Sequence, residues 1–478
     1  MPDTKYDINF LRFLSKRLSS GIFDHNIAQC LFKRLSVDRI KKHIIDYFEN
    51  NYKRNPKNLN IYIHIPYCAQ VCSYCHCRTQ KLSDAKQVSE YLSFLINQIY
   101  DFSRLFCDKE ISSVWFGGGT PSLLNEKDIR KIFECLYSNF KFKDKIQVNF
   151  EASPSSLTKD KIRILKEYGL NRLTLGVQSL DALVLKEIGR AQNKRMVYEC
   201  VEYIKNEKIP VLNIDLIAGL PGQTLDSFLN DLNTVIKLKP DTIHVNPLSD
   251  IFTSNYYQNK GFDIYKFVIK RHAMMIEAKK ILENNGYKRD GFEAYQLNKR
   301  AYNFQQSDTV NNFSNIFAFG ENTVSVIFDK LIYKCVNWEC VSSGKAPEFK
   351  GTLIDERYAK ARFMTWYLWK GFKNKDFHNI FGEEPENIFK EELAFLENLG
   401  LVNRKNGDIK YVSGGKMADL FDYFAYTNIF YGEEMLLSLK RHFKNYYSLK
   451  YKYNFLQDGF LPKINDHFFM LTYYDMGY

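Results

Sequence analysis

Three cysteines with close spacing, Cys68, Cys72 and Cys75, form the pattern C-x3-C-x2-C. One short loop with this spacing can present three thiolates to three irons of a cubane cluster. The fourth iron then has no protein ligand and is open to a small molecule, unlike the clusters of electron-transfer ferredoxins, which are held by four cysteines. The spacing therefore predicts a 4Fe-4S cluster with one open iron.

An open iron of this kind can chelate the amino and carboxylate groups of S-adenosylmethionine (SAM). One electron from the cluster would break the sulfonium bond and release a 5′-deoxyadenosyl radical, while protein groups position the reactants. The spacing resembles the signature of radical SAM enzymes. A structural zinc site usually has two separated pairs of ligands, and no second pair follows Cys77 at zinc-ribbon distance. A disulfide framework is not expected in a long chain that has no secretory signal.

Six short β-rich runs, separated by amphipathic helical segments, follow a polar linker near residue 57. This alternation predicts an α/β fold with a parallel sheet and right-handed crossovers. Six units are too few for a complete eight-fold barrel, so we expect a partial (β/α)6 TIM-like barrel. The six runs are Ile61–Ile65, Ser113–Phe116, Ile146–Glu151, Arg172–Val177, Val211–Ile217 and Thr242–Asn246.

The pattern divides the chain into four predicted domains: an N-terminal helical segment (1–57), a radical SAM partial barrel (58–255), a barrel-closing or substrate region (256–350) and a mainly helical C-terminal domain (351–478). Within the last, a helix followed by an Asn-Gly hairpin gives a winged-helix-like pattern. The absence of a basic recognition face argues against DNA binding, and we expect no nucleic-acid partner.

Polar residues follow the strands where chemistry gathers in parallel β/α folds. Gly117-Gly-Gly-Thr120 follows the second strand, Glu151 ends the third, Gln178 ends the fourth, and Asp215 lies near the end of the fifth. The glycines let a ligand approach the backbone closely. An acidic residue could bind an amino group or ribose hydroxyls, and Arg190 could bind a carboxylate with two hydrogen bonds. We predict that this set binds a cofactor.

Four segments resemble oxygen-independent coproporphyrinogen III oxidase and its relatives. The resemblance covers about residues 58–250, and its C-x3-C-x2-C-x-C form is more specific than the superfamily motif. It implies a partial barrel, a 4Fe-4S cluster and one or two molecules of SAM. The segments are Tyr62-Ile-His-Ile-Pro-Tyr-Cys68 with Cys75-His-Cys77, Gly117-Gly-Gly-Thr-Pro-Ser, Arg172-Leu-Thr-Leu-Gly-Val-Gln178, and Asn213-Ile-Asp-Leu-Ile-Ala-Gly-Leu-Pro-Gly-Gln-Thr224.

The same resemblance implies positions for the cofactor contacts. Cys77 would lie beside the second SAM, near the substrate, and is the candidate catalytic residue. The residues implied around the first SAM are Tyr62, Gly118, Glu151, Gln178, Arg190 and Asp215. Those implied near the second are Tyr74, Gly119 and Thr120.

The chain departs from the family pattern in regions that bear on the substrate. His76 stands where the family typically has Gly, and residues 1–57 lack the N-terminal segment of the family member that makes protoporphyrinogen. Gly291-Phe-Glu-Ala-Tyr295 and Tyr302-Asn-Phe-Gln-Gln306 replace two family signatures. The leading expectation is a radical SAM oxidoreductase that abstracts hydrogen from a tetrapyrrole-like substrate, with oxidative decarboxylation of propionates. The alternatives are methyl transfer with two SAM molecules, anaerobic opening of haem, and haem trafficking by a binding protein. Haem-trafficking relatives usually have no cysteine at the position that corresponds to Cys77, which counts against that alternative.

The net charge of +12 is spread along the chain without a dense basic block. An AT-rich coding bias explains much of this lysine content, although a polycarboxylate substrate suits the sign. The other cysteines are scattered, as in reduced cytosolic proteins. No apolar run is long enough to cross a bilayer, and we expect a cytoplasmic protein without a membrane span. A reductant such as flavodoxin or ferredoxin is the expected electron donor.

Overall fold

The computed structural model describes residues 32–53, 57–75, 79–248, 264–290, 294–297, 301, 314–327, 330–338, 346–368, 371–398, 402–405 and 407–411. These residues fall into two compact units, 32–353 and 354–411, and each unit is described by itself. The predicted helix around Phe10, the residues His76 and Cys77, and the predicted helices after residue 411 lie outside the described residues. The proposed division of the chain into four domains remains a prediction.

A thirteen-stranded sheet organises the described part of the larger unit, and a two-stranded sheet carries the cysteine loop. The strands of this unit, in chain order, are β1 (Lys33–Leu35), β2 (Leu59–Ile65), β3 (Tyr67–Cys68), β4 (Gln80–Lys81), β5 (Glu110–Gly118), β6 (Lys141–Ala152), β7 (Arg172–Gln178), β8 (Val211–Ala218), β9 (Thr242–Pro247), β10 (Lys288–Arg289), β11 (Ala294–Gln296), β12 (Asn315–Phe319), β13 (Val324–Ile327), β14 (Leu331–Asn337) and β15 (Glu348–Leu353).

Helices alternate with the parallel strands. Most begin at a residue whose side chain accepts a hydrogen bond from the first turn, as Asp84, Asn125, Thr158 and Asn193 do. The α-helices of this unit are α1 (Val37–Asp46), α2 (Ala85–Ser103), α3 (Glu126–Asn139), α4 (Lys159–Glu167), α5 (Ala182–Glu187), α6 (Lys194–Asn206), α7 (Leu225–Lys237) and α8 (Ile264–Asn284); a π-helix (Tyr47–Tyr52) continues α1, and a short 3-10 helix spans Pro121–Leu123.

The predicted parallel core is confirmed. Strands β2, β5, β6, β7, β8 and β9 pair side by side in chain order, and every pairing among them is parallel. The sheet is wider than six strands, because β12 adds a parallel strand beside β2 and antiparallel strands extend both edges. Antiparallel neighbours need no crossover helix, so counting strand–helix alternations misses them. The strand β1, which pairs with β15, also lies in the segment predicted to be helical.

The parallel strands have two different faces. On the face that we call the helix face, aliphatic and aromatic side chains pack against the helices, as when the Phe116 ring lies 4.6 Å from that of Phe133 on α3. On the face that we call the polar face, alternate residues carry polar groups instead. The polar-face residues include Asn60, Tyr62, Asn149, Glu151, Arg172, Thr174, Asn213, Asp215, Thr242 and His244. Parallel sheets are usually apolar on both faces, so this alternation indicates a functional interior.

The smaller unit contains the predicted helix and hairpin. Its α-helices are α9 (Glu356–Tyr367), α10 (Asn374–Phe381), α11 (Pro385–Ile388) and α12 (Lys390–Asn398). Its three-stranded sheet is formed by β16 (Phe372–Lys373), β17 (Val402–Lys405) and β18 (Asp408–Tyr411), in the order β16, β18, β17. Gly407 in the turn has a φ of 73°, the left-handed conformation that such turns require. None of the helices in the described part of the chain is long and apolar enough to span a membrane.

Candidate iron–sulfur and SAM site

The cysteine loop begins where β2 ends. Strands β3 and β4 pair in parallel, which brings the two ends of the loop together, and the amide of Leu82 donates to the carbonyl of Cys68 at 2.9 Å. The first cysteine, Cys68, lies in β3, while Cys72 and Cys75 follow in a turn in which the Cys75 amide bonds to the Cys72 carbonyl at 3.0 Å. All three are partly buried and free of disulfides. The loop is thus a closed, defined element.

The loop is also held by the segment that follows α5. The amide of Ser73 donates to the carbonyl of Ile188 at 3.1 Å. Tyr74 packs against an apolar cluster that includes Leu185, on α5, and Leu220, two residues after β8. Because Ile188 precedes Arg190 by two residues, this contact brings the loop next to Arg190.

Each of the three cysteine sulfurs has a side-chain partner. The hydroxyl of Thr120 donates to the sulfur of Cys68 at 3.4 Å. The guanidinium Nη1 of Arg190 lies 3.8 Å from the sulfur of Cys72. The hydroxyl of Thr79 lies 3.8 Å from the sulfur of Cys75.

The three thiols fit a cubane cluster better than a single metal ion. Within the described residues, no three metal-ligating side chains converge on one metal position. A cubane binds each thiolate through a different iron, so its ligands lie near one another without sharing a point. Burial raises the pKa of the Cys68 thiol, and the thiols of Cys75 and Cys72 add to the increase.

The glycine turn after β5 packs tightly against the site. A β-carbon on Gly117 would lie 2.6 Å from both the Glu151 Oε1 and the Tyr62 hydroxyl. Gly118 has a φ of 106°, and a β-carbon there would lie 2.5 Å from the His64 ring. Gly119 donates its amide to the carbonyl of Ile65 at 2.7 Å, directly before the cysteine loop. Larger residues at these positions would clash with neighbouring protein groups, so the packing of the turn requires glycine whether or not a ligand binds there.

Glu151 lies on the polar face of β6, beside this turn. Its Oε1 accepts a hydrogen bond from the indole N–H of Trp115 at 2.7 Å. Burial raises the pKa of Glu151 to about 8, and the nearby carboxylate of Asp215 adds to the increase. The side chain is neutral at pH 7 until a cation approaches it, so it is suited to bind an amino group.

Asp215 lies two strands away, on β8, within a network of polar-face residues. It accepts a hydrogen bond from Asn213 at 2.6 Å, and His244 Nδ1 lies 3.5 Å from its Oδ1. Burial raises the pKa of Asp215 to about 6. Burial and the nearby guanidinium of Arg172 lower the pKa of His244 to about 3, so this imidazole is neutral. Asp215 is consequently the main anionic group of the network at neutral pH.

Gln178 and Arg190 meet at the end of β7. Gln178 has a φ of 66°, and a register shift between Gly176 and Gln178 interrupts the pairing with β8. A β-carbon on Gly176 would lie 2.9 Å from Gln178 Nε2 and 3.5 Å from Arg190 Nη2. Gln192 accepts from Arg190 Nε at 2.8 Å and donates to the carbonyl of Val177 at 2.6 Å. The buried Oε1 of Gln178 has no hydrogen-bond partner among the described residues, which leaves it available to a ligand.

The structure thus brings most of the predicted residues together around one edge of the sheet. Cys77 lies outside the described residues, so its predicted catalytic role is untested. Four residues that the geometry adds were not predicted from the sequence: Trp115, Arg172, Gln192 and His244. For Arg172 and His244 a signal was present, because polar residues alternate with aliphatic ones along β7 and β9.

Comparison with known proteins identifies the superfamily. The Radical SAM superfamily model matches residues 62–235, which include the cysteine loop, strands β5, β6, β7 and β8, and the end of β2. This part of the chain, residues 62–235, belongs to the radical SAM superfamily. It is related to oxygen-independent coproporphyrinogen III oxidase and to HemW. The oxidase of Salmonella typhimurium is 33% identical over 187 residues, which cover 39% of this chain and 41% of the oxidase. The chain therefore matches about two-fifths of the length of these relatives.

Two further relatives extend the comparison. The heme chaperone HemW of Buchnera aphidicola is 29% identical over 267 residues, covering 55% of this chain and 68% of the chaperone. The solved structure of coproporphyrinogen III oxidase (HemN) from Escherichia coli superimposes with a TM-score of 0.70 at 22% identity, covering 81% of this chain and 92% of that one. The structural match confirms a mixed α/β fold with a largely parallel sheet, like that of this oxidase.

Proposed function

We propose that this chain is a radical SAM oxidoreductase that acts on a tetrapyrrole-like substrate. The residues described above would hold a 4Fe-4S cluster and SAM, and this pair would supply the radical chemistry that removes hydrogen from the substrate. The observation that carries the proposal is the convergence of three cysteine sulfurs with Glu151, Gln178, Arg190 and Asp215 at one edge of the sheet. In parallel β/α folds this edge is the catalytic one.

The residues of this site have distinct proposed tasks. Cys68, Cys72 and Cys75 hold three irons. Glu151 accepts the amino group of the methionine moiety, with Trp115 fixing its orientation. Arg190 binds the carboxylate, since its guanidinium is within 3.8 Å of a cluster ligand and anchored by Gln192.

The ribose hydroxyls are assigned to Gln178 and Asp215. The unpartnered Oε1 of Gln178 and the carboxylate of Asp215 are both hydrogen-bond acceptors on the polar side of the sheet. Tyr62 borders the same space through its hydroxyl, which lies 2.6 Å from the position that a Gly117 β-carbon would occupy. Tyr74, Gly119, Thr120 and Cys77 are assigned to a second SAM or to the substrate by resemblance.

For a coproporphyrinogen-type substrate, abstraction of one hydrogen atom from a propionate side chain would leave a substrate radical. Loss of CO2 and transfer of one electron to an external one-electron acceptor would then give a vinyl group. The net charge of +12 suits a polycarboxylate. The experiment is anaerobic incubation of the reconstituted protein with SAM, a reductant and coproporphyrinogen III, with products read by mass spectrometry. We expect a product that has lost CO2 and two hydrogens for each reacting propionate. A methylated product together with S-adenosylhomocysteine would contradict this assignment and indicate methyl transfer. An opened haem ring, when haem is supplied, would contradict it and indicate haem opening.

Haem binding without turnover is the second candidate. It is favoured by the match to the heme chaperone HemW, which extends over more of both chains than the oxidase match does. Titration with haem under the same conditions distinguishes the two candidates. Stoichiometric, stable haem binding by a protein that leaves coproporphyrinogen unchanged would favour this candidate.

For the first candidate, the enzyme, the variant Cys77→Ala is expected to keep the cluster and lose productive turnover.

A further inference from the structure

The three hydroxyl and guanidinium groups beside the cysteine sulfurs come from three separate parts of the chain. Thr79 closes the cysteine loop itself, Thr120 ends the glycine turn after β5, and Arg190 follows α5. Thr120 lies 3.4 Å from the sulfur of Cys68, and Arg190 and Thr79 lie 3.8 Å from those of Cys72 and Cys75. Thr79 also contributes a hydrogen bond to Cys68. One donor for each sulfur is more than closure of the loop requires, because backbone hydrogen bonds already close it.

An iron-bound cysteine has no proton, so it can only accept hydrogen bonds. The Thr79 hydroxyl, which could act as donor or acceptor toward a free thiol, must then donate to Cys75. Donors to cluster sulfurs stabilise the reduced cluster more than the oxidised one, because reduction adds negative charge. Hydrogen bonds to the sulfurs are one of the protein's means of setting the reduction potential.

We propose that Thr79, Thr120 and Arg190 act as a set of donors that raises the reduction potential of the cluster. The inference rests on the proposed 4Fe-4S cluster and deepens it by assigning residues that control its reduction. None of the three is a ligand of iron, and each acts through a cysteine. Arg190 has the largest effect, since it adds a full positive charge to its hydrogen bond.

The test measures the midpoint potential of the reconstituted cluster by anaerobic titration with electron paramagnetic resonance detection, in the absence of SAM. Thr79→Val removes the hydroxyl and keeps the shape of the side chain. We expect the ratio of reduced to oxidised cluster at a fixed potential to fall about threefold for Thr79→Val or Thr120→Val, since one net hydrogen bond is involved. For Arg190→Gln we expect a fall of about tenfold, which is 59 mV for one electron.

Two controls separate tuning from structure. Thr79→Ser retains the hydroxyl donor, so its cluster should have the wild-type potential. If Thr79 served only to close the loop, Thr79→Val would lower the iron and sulfide content and leave the potential of the assembled cluster unchanged. Thr352→Val makes the same substitution on β15, separated from β5 by four strands, and should leave the potential unchanged. Unchanged potentials in both threonine variants, with wild-type iron and sulfide content, would overturn the inference.

The outcome stays decisive if a valine variant fails to hold a cluster. In the wild-type protein, the reduced cluster should show strongly coupled exchangeable protons that disappear in D2O, and their absence would contradict the proposed donors. If the wild-type protein itself assembles no 4Fe-4S cluster, the proposed function fails rather than this inference.

Discussion

The two faces of the parallel strands differ in what they contribute. On the helix face, Ile61, Val148, Leu175 and Ile214 are almost completely buried among other apolar side chains. On the polar face, the adjacent positions carry residues such as Tyr62, Glu151 and Asp215. The strands therefore support a stable core on one side and present chemistry on the other. Substitutions on the two faces should have different consequences, and this difference can be measured.

We expect the largest effect on function from substitutions in the cysteine loop, which lies at the carboxyl edge of the sheet and belongs to neither face. Cys68→Ala, Cys72→Ala or Cys75→Ala should abolish cluster binding and SAM cleavage, because each removes the only protein ligand of one iron. Iron and sulfide analysis after anaerobic reconstitution measures the cluster. Cys107→Ala, which changes an exposed cysteine outside the loop, is the matched control and should behave as wild type. Retained SAM cleavage in any of the three loop variants would contradict the assignment.

On the helix face, Phe116→Ala should reduce the free energy of unfolding by about 3–5 kcal/mol, as is typical of a truncated core aromatic. The Phe116 ring contacts those of Phe133 and Phe150, at 4.6 and 5.4 Å. Urea denaturation of the apoprotein measures the loss. On the polar face, Tyr62→Phe should cost less than about 1 kcal/mol. Equal losses for the two variants would remove the distinction between the faces.

The pH dependence of stability tests the polar face more finely. The pKa of Glu151 is about 8 in the folded protein, compared with 4.5 ordinarily. The folded state therefore holds a proton that the unfolded state has lost in this range, and the free energy of unfolding falls as pH rises through it. Between pH 6 and 8, where Asp215 contributes little, we expect wild type to lose roughly 2 kcal/mol relative to Glu151→Gln.

Denaturant titrations of both proteins at several pH values measure this difference. Glu151→Gln retains an acceptor for the Trp115 N–H but cannot ionise, so it isolates the carboxyl group from other titrating residues. A constant stability difference between the two proteins from pH 6 to 8 would show that the carboxyl group is not buried as described.

The smallest change concerns the end of β7. Gly176→Ala places a methyl group 2.9 Å from Gln178 Nε2, which should push the Gln178 and Arg190 side chains out of position. Because the terminal groups of these two side chains can move, we expect the free energy of unfolding to fall by less than about 1 kcal/mol. SAM affinity of the cluster-loaded protein should fall about tenfold, the equivalent of one lost polar contact.

Calorimetric titration with SAM measures this affinity. If the methyl group acts through Gln178, the double variant Gly176→Ala/Gln178→Ala should bind about as weakly as Gln178→Ala alone. Fully additive losses would show that Gly176 acts by another route.

Much of this architecture is predictable because local signals and topology agree. The six parallel strands and the helices between them have the expected periodicities. The rule that parallel strands share a carboxyl edge places Glu151 near Asp215, on the side of the sheet where the cysteine loop begins. The winged-helix-like hairpin was predictable because Asn-Gly at 406–407 specifies its turn.

Other features depend on tertiary contacts that have no local signal. The strand β1 has only three residues and forms because Glu348–Leu353 offers it an edge. The pairing of Thr79 with Cys75 and of Arg190 with Cys72 requires the folded loop. The tight packing around Gly117 could not be predicted from the sequence either. A run of glycines is equally consistent with a bound ligand and with close packing of protein side chains, here those of Tyr62 and Glu151.

The central claim is that the cysteine loop and the polar residues beside it form a radical SAM centre. The most direct measurement is anaerobic reconstitution with iron and sulfide, followed by dithionite and SAM, with nucleoside products read by mass spectrometry. We predict 5′-deoxyadenosine from the wild-type protein and none from Cys72→Ala. A fully assembled 4Fe-4S cluster that yields no 5′-deoxyadenosine, with or without coproporphyrinogen, would contradict the claim.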